Sequence, residues 1–358
     1  MMPQVTFIVL LIATLVWITL PLIPAIRELL RPTDASPLTQ VGHDAGDLAI
    51  FAQGFRRYLE RVLPPDTEGS GGDGVTGQLQ DGTPLLQLNG PAEFLRRVAT
   101  PDGTIGRLVV TNQPIAFPGR ETFLYEVYAR ERFVGGPDAV YRALLTERDA
   151  ELGARSRVLR WLHVEGDVVL GESIDLEGRA SAAGTMWLGP DVRFKRIRAS
   201  RVVVGREDLA PPAAMAPAVA SSMRLPRTAR QLRGFIRVGG DLTIPPGATF
   251  VGTLVVYGDV TIGAGARVAG SIKAHGNCTL GARAAVDGSV VARGDVQLGE
   301  GASVGAPVIA ERTATISSGA TIGRPDSPSS LTAEYVTLHS GAQIFGAVSA
   351  GTAGNTAR

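Results

Sequence analysis

The sequence is poor in several residue types, and each shortage excludes a class of protein. The 358 residues include a single cysteine, Cys278, so no internal disulfide framework can hold the fold. Histidines number four, and aromatic residues make up 6% of the chain. The formal net charge is +1, and no aromatic residues interleave with the scattered basic ones. We therefore expect no nucleic-acid partner.

Glycine, in contrast, is abundant at 44 residues, and it marks a repeat of constant length. Successive blocks begin at Gly240, Gly258, Gly276, Gly294 and Arg312, so the period is 18. Within a block, apolar residues come in pairs two positions apart, which is the strand period, and these pairs recur every six residues. Three short strands and three corners per block predict a mainly β protein, with one coil of a triangular β-helix per block. A β-sandwich is the alternative, but its strands do not keep a fixed period.

The same register extends toward the N-terminus, with blocks at Arg148, Gly166 and Gly184. An Ala- and Pro-rich stretch then interrupts it. We predict a first β-helix segment over 148–205, an insertion over 206–233, a second β-helix over 234–350 and a short polar tail over 351–358. We expect one solenoid of nine or ten coils, interrupted by the insertion. Cys278 falls in a core column and is interpreted as a small apolar filler.

The N-terminal residues 1–31 are predicted to form a transmembrane anchor. Val5 to Ile26 is an uncharged run of 22 residues, long enough to cross a bilayer as a helix. A cleaved signal peptide is the alternative, but no basic residue precedes the run. Arg27 and Arg31 flank only its C-terminal side, so we expect a single-pass inner-membrane protein with its β-helix in the cytoplasm.

Residues 32–83 are predicted to contain an amphipathic helix and a flexible linker. The helix lies within Asp47–Leu63, and it either rests on anionic headgroups or packs on protein. Residues 84–147 are interpreted as a small α+β module that caps the first coil. In it, LLQL and RLVV resemble strands, whereas PAEFLRRV and DAVYRALLTERD resemble helices.

Two patterns could carry chemistry. The six-residue segments resemble those of left-handed β-helix acyltransferases and gamma-class carbonic anhydrases, which use histidines. The four histidines of this chain are too dispersed to share a zinc ion: His43, His163, His275 and His339. The second place of successive blocks holds Asp241, Asp259, Asn277 and Asp295. Stacked carboxylates of this kind could bind calcium, but Asp and Asn after Gly are also ordinary turn formers. We expect no catalytic residue, metal or cofactor.

The blocks from Gly240, reading G-D/N-V/C-T-I/L-G and then G-A-x-V-x-G, resemble the bactofilins, a family of bacterial polymer-forming cytoskeletal proteins. The resemblance implies a right-handed β-helix that stacks end to end into filaments near the membrane. It implies that the partners are other copies of the chain, the inner membrane and proteins of envelope synthesis. A hexapeptide-repeat acyltransferase is the alternative function.

The last coil is the candidate self-assembly site. The polar tail GTAGNTAR is too short to cover it, so we expect an open strand edge there. Ile344 falls at an inward place, and Phe345 then points outward. The family resemblance assigns a C-terminal aromatic residue to the end-to-end contact, and Phe345 is the candidate for it. Alternatively, the tail covers Phe345.

Overall fold

The computed structural model describes residues 48–63, 74–90, 93–205 and 228–357, together with Thr14 and Trp17. Leu48–Arg358 forms one compact unit. Its main body is a β-solenoid of about 13 turns, which confirms the predicted β-helix. The expected nine or ten coils are too few, because the parallel stack already begins at β2 and not at Arg148. The described part of this unit contains two helices, α1 (Ile50–Val62) and α2 (Glu93–Val98).

The first segment of the solenoid is built from strands β2 to β14, preceded by the short strand β1. Their bounds are β1 Gly74–Gln78, β2 Pro84–Leu88, β3 Thr104–Ile105, β4 Leu108–Thr111, β5 Ile115–Phe117, β6 Thr122–Ala129, β7 Phe133–Gly135, β8 Val140–Thr146, β9 Ala150–Leu152, β10 Arg157–Val164, β11 Val168–Leu170, β12 Asp175–Ala182, β13 Thr185–Leu188 and β14 Arg193–Val204.

The second segment is built from strands β16 to β32, preceded by β15. Their bounds are β15 Ala229–Leu232, β16 Phe235–Val238, β17 Leu242–Ile244, β18 Thr249–Val251, β19 Leu254–Val256, β20 Val260–Ile262, β21 Arg267–Ala269, β22 Ile272–Ala274, β23 Cys278–Leu280, β24 Ala285–Val286, β25 Val290–Ala292, β26 Val296–Leu298, β27 Ser303–Val304, β28 Val308–Ala310, β29 Thr313–Ile316, β30 Thr321–Ile322, β31 Ser329–His339 and β32 Gln343–Ala357.

Three parallel sheet faces run along each segment. The constant period brings the same place of each block into register, so that Leu242 pairs with Val260 and Val260 with Cys278. The paired apolar residues point inward and are almost completely buried. Cys278 is 0% exposed in this column, as expected for an apolar filler, and burial raises the pKa of its thiol to about 12.

The two segments run in opposite directions along the rod. The last strand of the first segment, β14, pairs antiparallel with β32, the last strand of the second. The two segments therefore meet at their C-terminal ends, and the second segment begins at the far end of the rod. The expectation that the insertion interrupts one continuous stack is wrong.

The predicted α+β module over 84–147 is also wrong, because the solenoid starts at β2, which pairs in parallel with β4. Residues 138–149, expected to be helical, instead contain β8. Tyr141 and Leu144 both point inward, three positions apart, because β8 crosses a corner between two faces with a register shift. That spacing imitates a helical period. The strands at LLQL and RLVV and the helix at PAEFLRRV are confirmed as β2, β4 and α2.

The predicted amphipathic helix is confirmed as α1, and it packs on the first segment of its own chain. Its buried residues Ala52 and Leu59 contact a cluster on the outside of the solenoid that includes Leu145 and Trp161. Among the described residues, no helix is long and apolar enough to span a bilayer. The run from Val5 to Ile26 lies outside them except for Thr14 and Trp17, so the anchor stays a prediction.

Candidate functional site: the junction and the ends of the rod

The contact between β14 and β32, which we call the junction, pairs two coil ends on all three faces. Phe194 pairs with Gly354, Ile197 with Val348, and Val202 with Ile344. The five apolar partners Phe194, Ile197, Val202, Ile344 and Val348 are at most 2% exposed, so the core continues through the junction without a break. A Cβ on Gly354 would lie 2.3 Å from Cε2 of Phe194, so this position requires glycine.

The structure places both predicted site residues at this junction. Ile344 is 0% exposed, and Phe345 is 4% exposed, with the Arg201 guanidinium 6.0 Å from its ring centroid. The Nη2 of Arg201 also donates a hydrogen bond to Oε1 of Gln343 at 3.1 Å. The expectation of an open edge and an exposed Phe345 is wrong, because β14 of the same chain covers the last coil. Pairing between copies at this edge is therefore blocked in the folded chain.

The residues that complete the junction belong to the predicted tail. β32 extends to Ala357, and the Val192 N–H donates to Oγ1 of Thr356 at 2.9 Å, while that hydroxyl donates to the Gly189 carbonyl at 2.7 Å. Thr356 is 1% exposed. The sequence signal was the repeat itself: one period after Val336 and Leu338 come Gly354 and Thr356. The predicted solenoid ends at Ala350, whereas the observed one continues through the polar tail to Ala357.

In the described part of the chain, the opposite end of the second segment, which we call the far end, is open. Its first complete coil contains β17 and β18, and within the described residues each pairs with one strand only, β20 and β21. The third face of this coil is closed by the hairpin of β15 and β16. Val251 in β18 is 72% exposed. Two of three strand edges are thus available for pairing.

The end of the first segment, which we call the capped end, is covered. Strand β1 pairs antiparallel with β2 and closes that edge. Helix α2 lies at the end of the coil, where Leu95 is 2% exposed and belongs to the continuous core. Phe94 and Val98 pack against the same core. As far as the structure describes the chain, the rod therefore has one covered and one open end.

Helix α1 is held to the first segment by a charged network. The Arg56 guanidinium donates to both oxygens of Glu147 at 2.8 Å and to Oε1 of Glu165 at 2.5 Å. Burial acts to raise the pKa of Glu165, but hydrogen bonds from Arg56 and His163 outweigh it and lower that pKa. Burial, together with Glu147, raises the pKa of Tyr128 to about 12. The network fixes the position of α1 along the rod.

The histidines do not converge in the described part of the chain, and His43 lies outside it. His163 is 7% exposed, with Nδ1 2.8 Å from Oγ of Ser181 and Nε2 3.3 Å from Oε1 of Glu165. Ser181, His163 and Glu165 are arranged like a nucleophile, its general base and an orienting carboxylate. However, Ser181 is only 4% exposed, so a substrate cannot reach its hydroxyl. His275 stacks on Tyr257 with ring centroids 4.4 Å apart. His339 lines a shallow groove with Glu300 and Ser318.

The aspartate ladder has a structural role. Oδ1 of Asp241 accepts the N–H of Asp259 at 2.9 Å, and Oδ1 of Asp259 accepts the N–H of Asn277 at 2.7 Å. Each carboxylate thus satisfies a backbone donor one coil further along. The following glycine leaves room for it, because a Cβ on Gly276 would lie 2.1 Å from Oδ1 of Asp259. Within the described residues, no group of three or more His, Cys, Asp or Glu side chains could hold a metal ion.

Comparison with known proteins adds nothing to this geometry: no family model, curated protein or solved structure matches the chain. The arrangement of the rod ends is therefore the basis for a functional proposal.

Proposed function

We propose that this protein is a membrane-anchored structural scaffold of the bactofilin kind, which self-associates through the far end of its β-helix. The open strands β17 and β18, opposite a covered end, carry the proposal. A β-solenoid by itself fits a hexapeptide-repeat enzyme equally well, so the fold does not carry it. The predicted anchor over 1–31 would attach the scaffold to the inner membrane, with the β-helix in the cytoplasm and envelope-synthesis proteins as its partners.

The backbone at the far end is suited to pairing. In a parallel pair of strands, every second residue of one strand forms hydrogen bonds with the neighbouring strand. In β17, the Leu242 N–H donates to the Asp259 carbonyl, and the Ile244 carbonyl accepts the Gly263 N–H. The N–H and C=O of Thr243, which lies between them, therefore point toward the open end. A second copy related by a two-fold axis would present the same groups and pair antiparallel.

The junction supports this mode of association. It shows that two coil ends of this sequence can stack antiparallel on three faces while their cores join. With one open end per rod among the residues that the structure describes, association gives pairs and not filaments. With coils about 4.8 Å apart, a rod of about 13 turns is roughly 60 Å long and a pair roughly 120 Å.

The test is the sedimentation of residues 48–358, the compact unit with its own core. We expect a concentration-dependent pair, and Thr243→Pro should abolish it, because proline removes one edge donor while sparing the bonds to β20. Thr243→Ala is the matched control and should still pair. Circular dichroism checks that all three proteins are folded. A wild-type monomer at high concentration, or an equal pair in the Pro variant, would contradict the proposal.

A further inference from the structure

One face of the rod combines α1 with an unusual concentration of positive charge. We call it the helix face. It consists of the sheet face through β10, β12 and β14 of the first segment, continued at the junction by β32, β31 and β28 of the second. Along the outside of this face, one row of residues pairs in register from strand to strand: Trp161, Arg179, Arg196, Ser349, Thr332 and Ile309.

Basic residues collect on three successive coils at the centre of this face and its adjoining corner and edge. They are Arg157, Arg160, Arg179, Arg193, Lys195, Arg196 and Arg198. The acidic residues among them are Asp175, which pairs with Arg193, and Glu177, which pairs with Arg157. Glu334 lies at a neighbouring corner, between the parts of β31 that pair with β28 and with β29. The excess of basic over acidic side chains at the centre is large, although the net charge of the chain is only +1.

Apolar side chains flank the basic residues. At the start of α1, Ile50 is 54% exposed and Phe51 is 50% exposed, with the Arg179 guanidinium 5.0 Å from the ring centroid of Phe51. On the other side of the junction, Ile309 is 40% exposed. Basic residues beside exposed apolar ones suit a surface that has both anionic and hydrocarbon groups.

The path of the chain points to the same surface. Helix α1 enters the compact unit at Leu48, and its first turn lies against Arg179 at the centre of the helix face. The predicted anchor run ends at Ile26, so only the stretch 27–47 separates it from this face.

From these observations we propose that the helix face lies on an anionic lipid bilayer, with the basic centre on the headgroups and Phe51 at the edge of the hydrocarbon. The inference deepens the proposed scaffold function, because it assigns the side of the rod that faces the membrane. It is independent of pairing at the far end, which uses other strands.

The test is the binding of residues 48–358, which lack the anchor, to vesicles. We expect binding to vesicles in which about a third of the lipid is phosphatidylglycerol, and none to pure phosphatidylcholine. Each basic residue near such a surface contributes about a factor of five in partitioning, so Arg160→Gln, Lys195→Gln and Arg196→Gln together should lower it about 100-fold. These three side chains are exposed, so the fold should persist.

The matched control removes the same charge from the corner opposite the helix face, by Arg120→Gln, Arg155→Gln and Arg283→Gln. This triple variant should bind as the wild type does. Equal loss in both variants would show a general charge effect and overturn the proposal, as would an absence of binding to anionic vesicles. Binding of short duplex DNA with the same loss in the first variant would assign the face to nucleic acid and also overturn it. Sedimentation without lipid tests pairing separately, so failure of either proposal is recognisable.

Discussion

The two segments of the rod build the same coil from different residues. One corner of the coil uses a residue with positive φ, and its N–H donates to the next coil, as in Arg120 to Pro137 and Gly265 to Ala282. In the first segment all five such residues have side chains: Arg120, Asp138, Arg155, Ser173 and Asp191. In the second, five of six are glycine, and Arg283 is the exception: Gly247, Gly265, Arg283, Gly301, Gly319 and Gly341.

The cores differ in a similar way. The first segment fills its early coils with large aromatic residues, and Phe123 stacks on Tyr141 with ring centroids 5.2 Å apart. The second uses columns of valine, isoleucine and alanine. The first also has long strands with register shifts at the corners, whereas most strands of the second span three residues. The same coil can therefore form without glycine at its corners when large core residues pack against one another. The glycine-rich repeat is one solution among several.

The largest expected effect on stability comes from a substitution that separates the two segments at the junction. Phe345→Arg places a second cation beside Arg201 in the junction, and an unpaired buried charge costs about 3–5 kcal/mol. We expect a lower urea midpoint and faster labelling of Cys278, the single thiol, which reports on the second segment. Phe345→Leu keeps the site apolar, so this variant should lose much less stability. If Phe345→Arg matches the wild type in both measurements, the segments do not meet at this residue.

A smaller effect should be confined to the first segment. Arg56→Met removes both ion pairs of α1, whose side chains are about a quarter to a third exposed, so we expect a loss of about 1–2 kcal/mol. Arg57→Met, on the exposed side of α1, is the control and should be neutral. Native-state labelling of Cys278 should not change, because the ion pairs and the packing of α1 are with the first segment.

This loss should depend on pH with a definite sign. The pKa of Glu165 is lowered in the folded state from its ordinary value of 4.5. Its stabilisation is therefore complete above that value and disappears as the pH falls through the lower folded pKa. The difference in unfolding free energy between wild type and Arg56→Met should shrink below about pH 4.5. A difference that stays constant down to about pH 3 would contradict the role of Glu165.

The smallest expected stability changes come from substitutions at the positive-φ corner residues of the two segments. Gly265 has φ +67° and open space around its missing Cβ, so Gly265→Ala should cost about 1 kcal/mol through backbone strain alone. Ser173 has φ 58° at the equivalent corner of the first segment, and Ser173→Gly should change stability by a few tenths of a kcal/mol in the opposite direction. Urea unfolding of both variants measures this. Equal signs would show that the two corners are not equivalent.

The sequence predicted the architecture well where the repeat is regular. Inward columns such as Leu242, Val260 and Cys278 were assigned correctly because a strand period of two and a block of constant length leave little choice of register. Residues 138–149 were misassigned as helical because bulged corners give spacings of three, as at Tyr141 and Leu144. The site was found only in part: Ile344 and Phe345 were placed at a coil end, but their partners Val202 and Arg201 were not.

By itself, the sequence determined the coil. Its length, its inward columns and its glycine corners follow from local periodicity and from which residues accept positive φ. Only the tertiary structure decided that the second segment is reversed and that its last coil is covered. Coil ends expose the same unpaired N–H and C=O groups to a parallel or an antiparallel neighbour, so no local pattern distinguishes the two. The choice depends on contacts between residues far apart in sequence, such as Phe194 filling the space that Gly354 leaves.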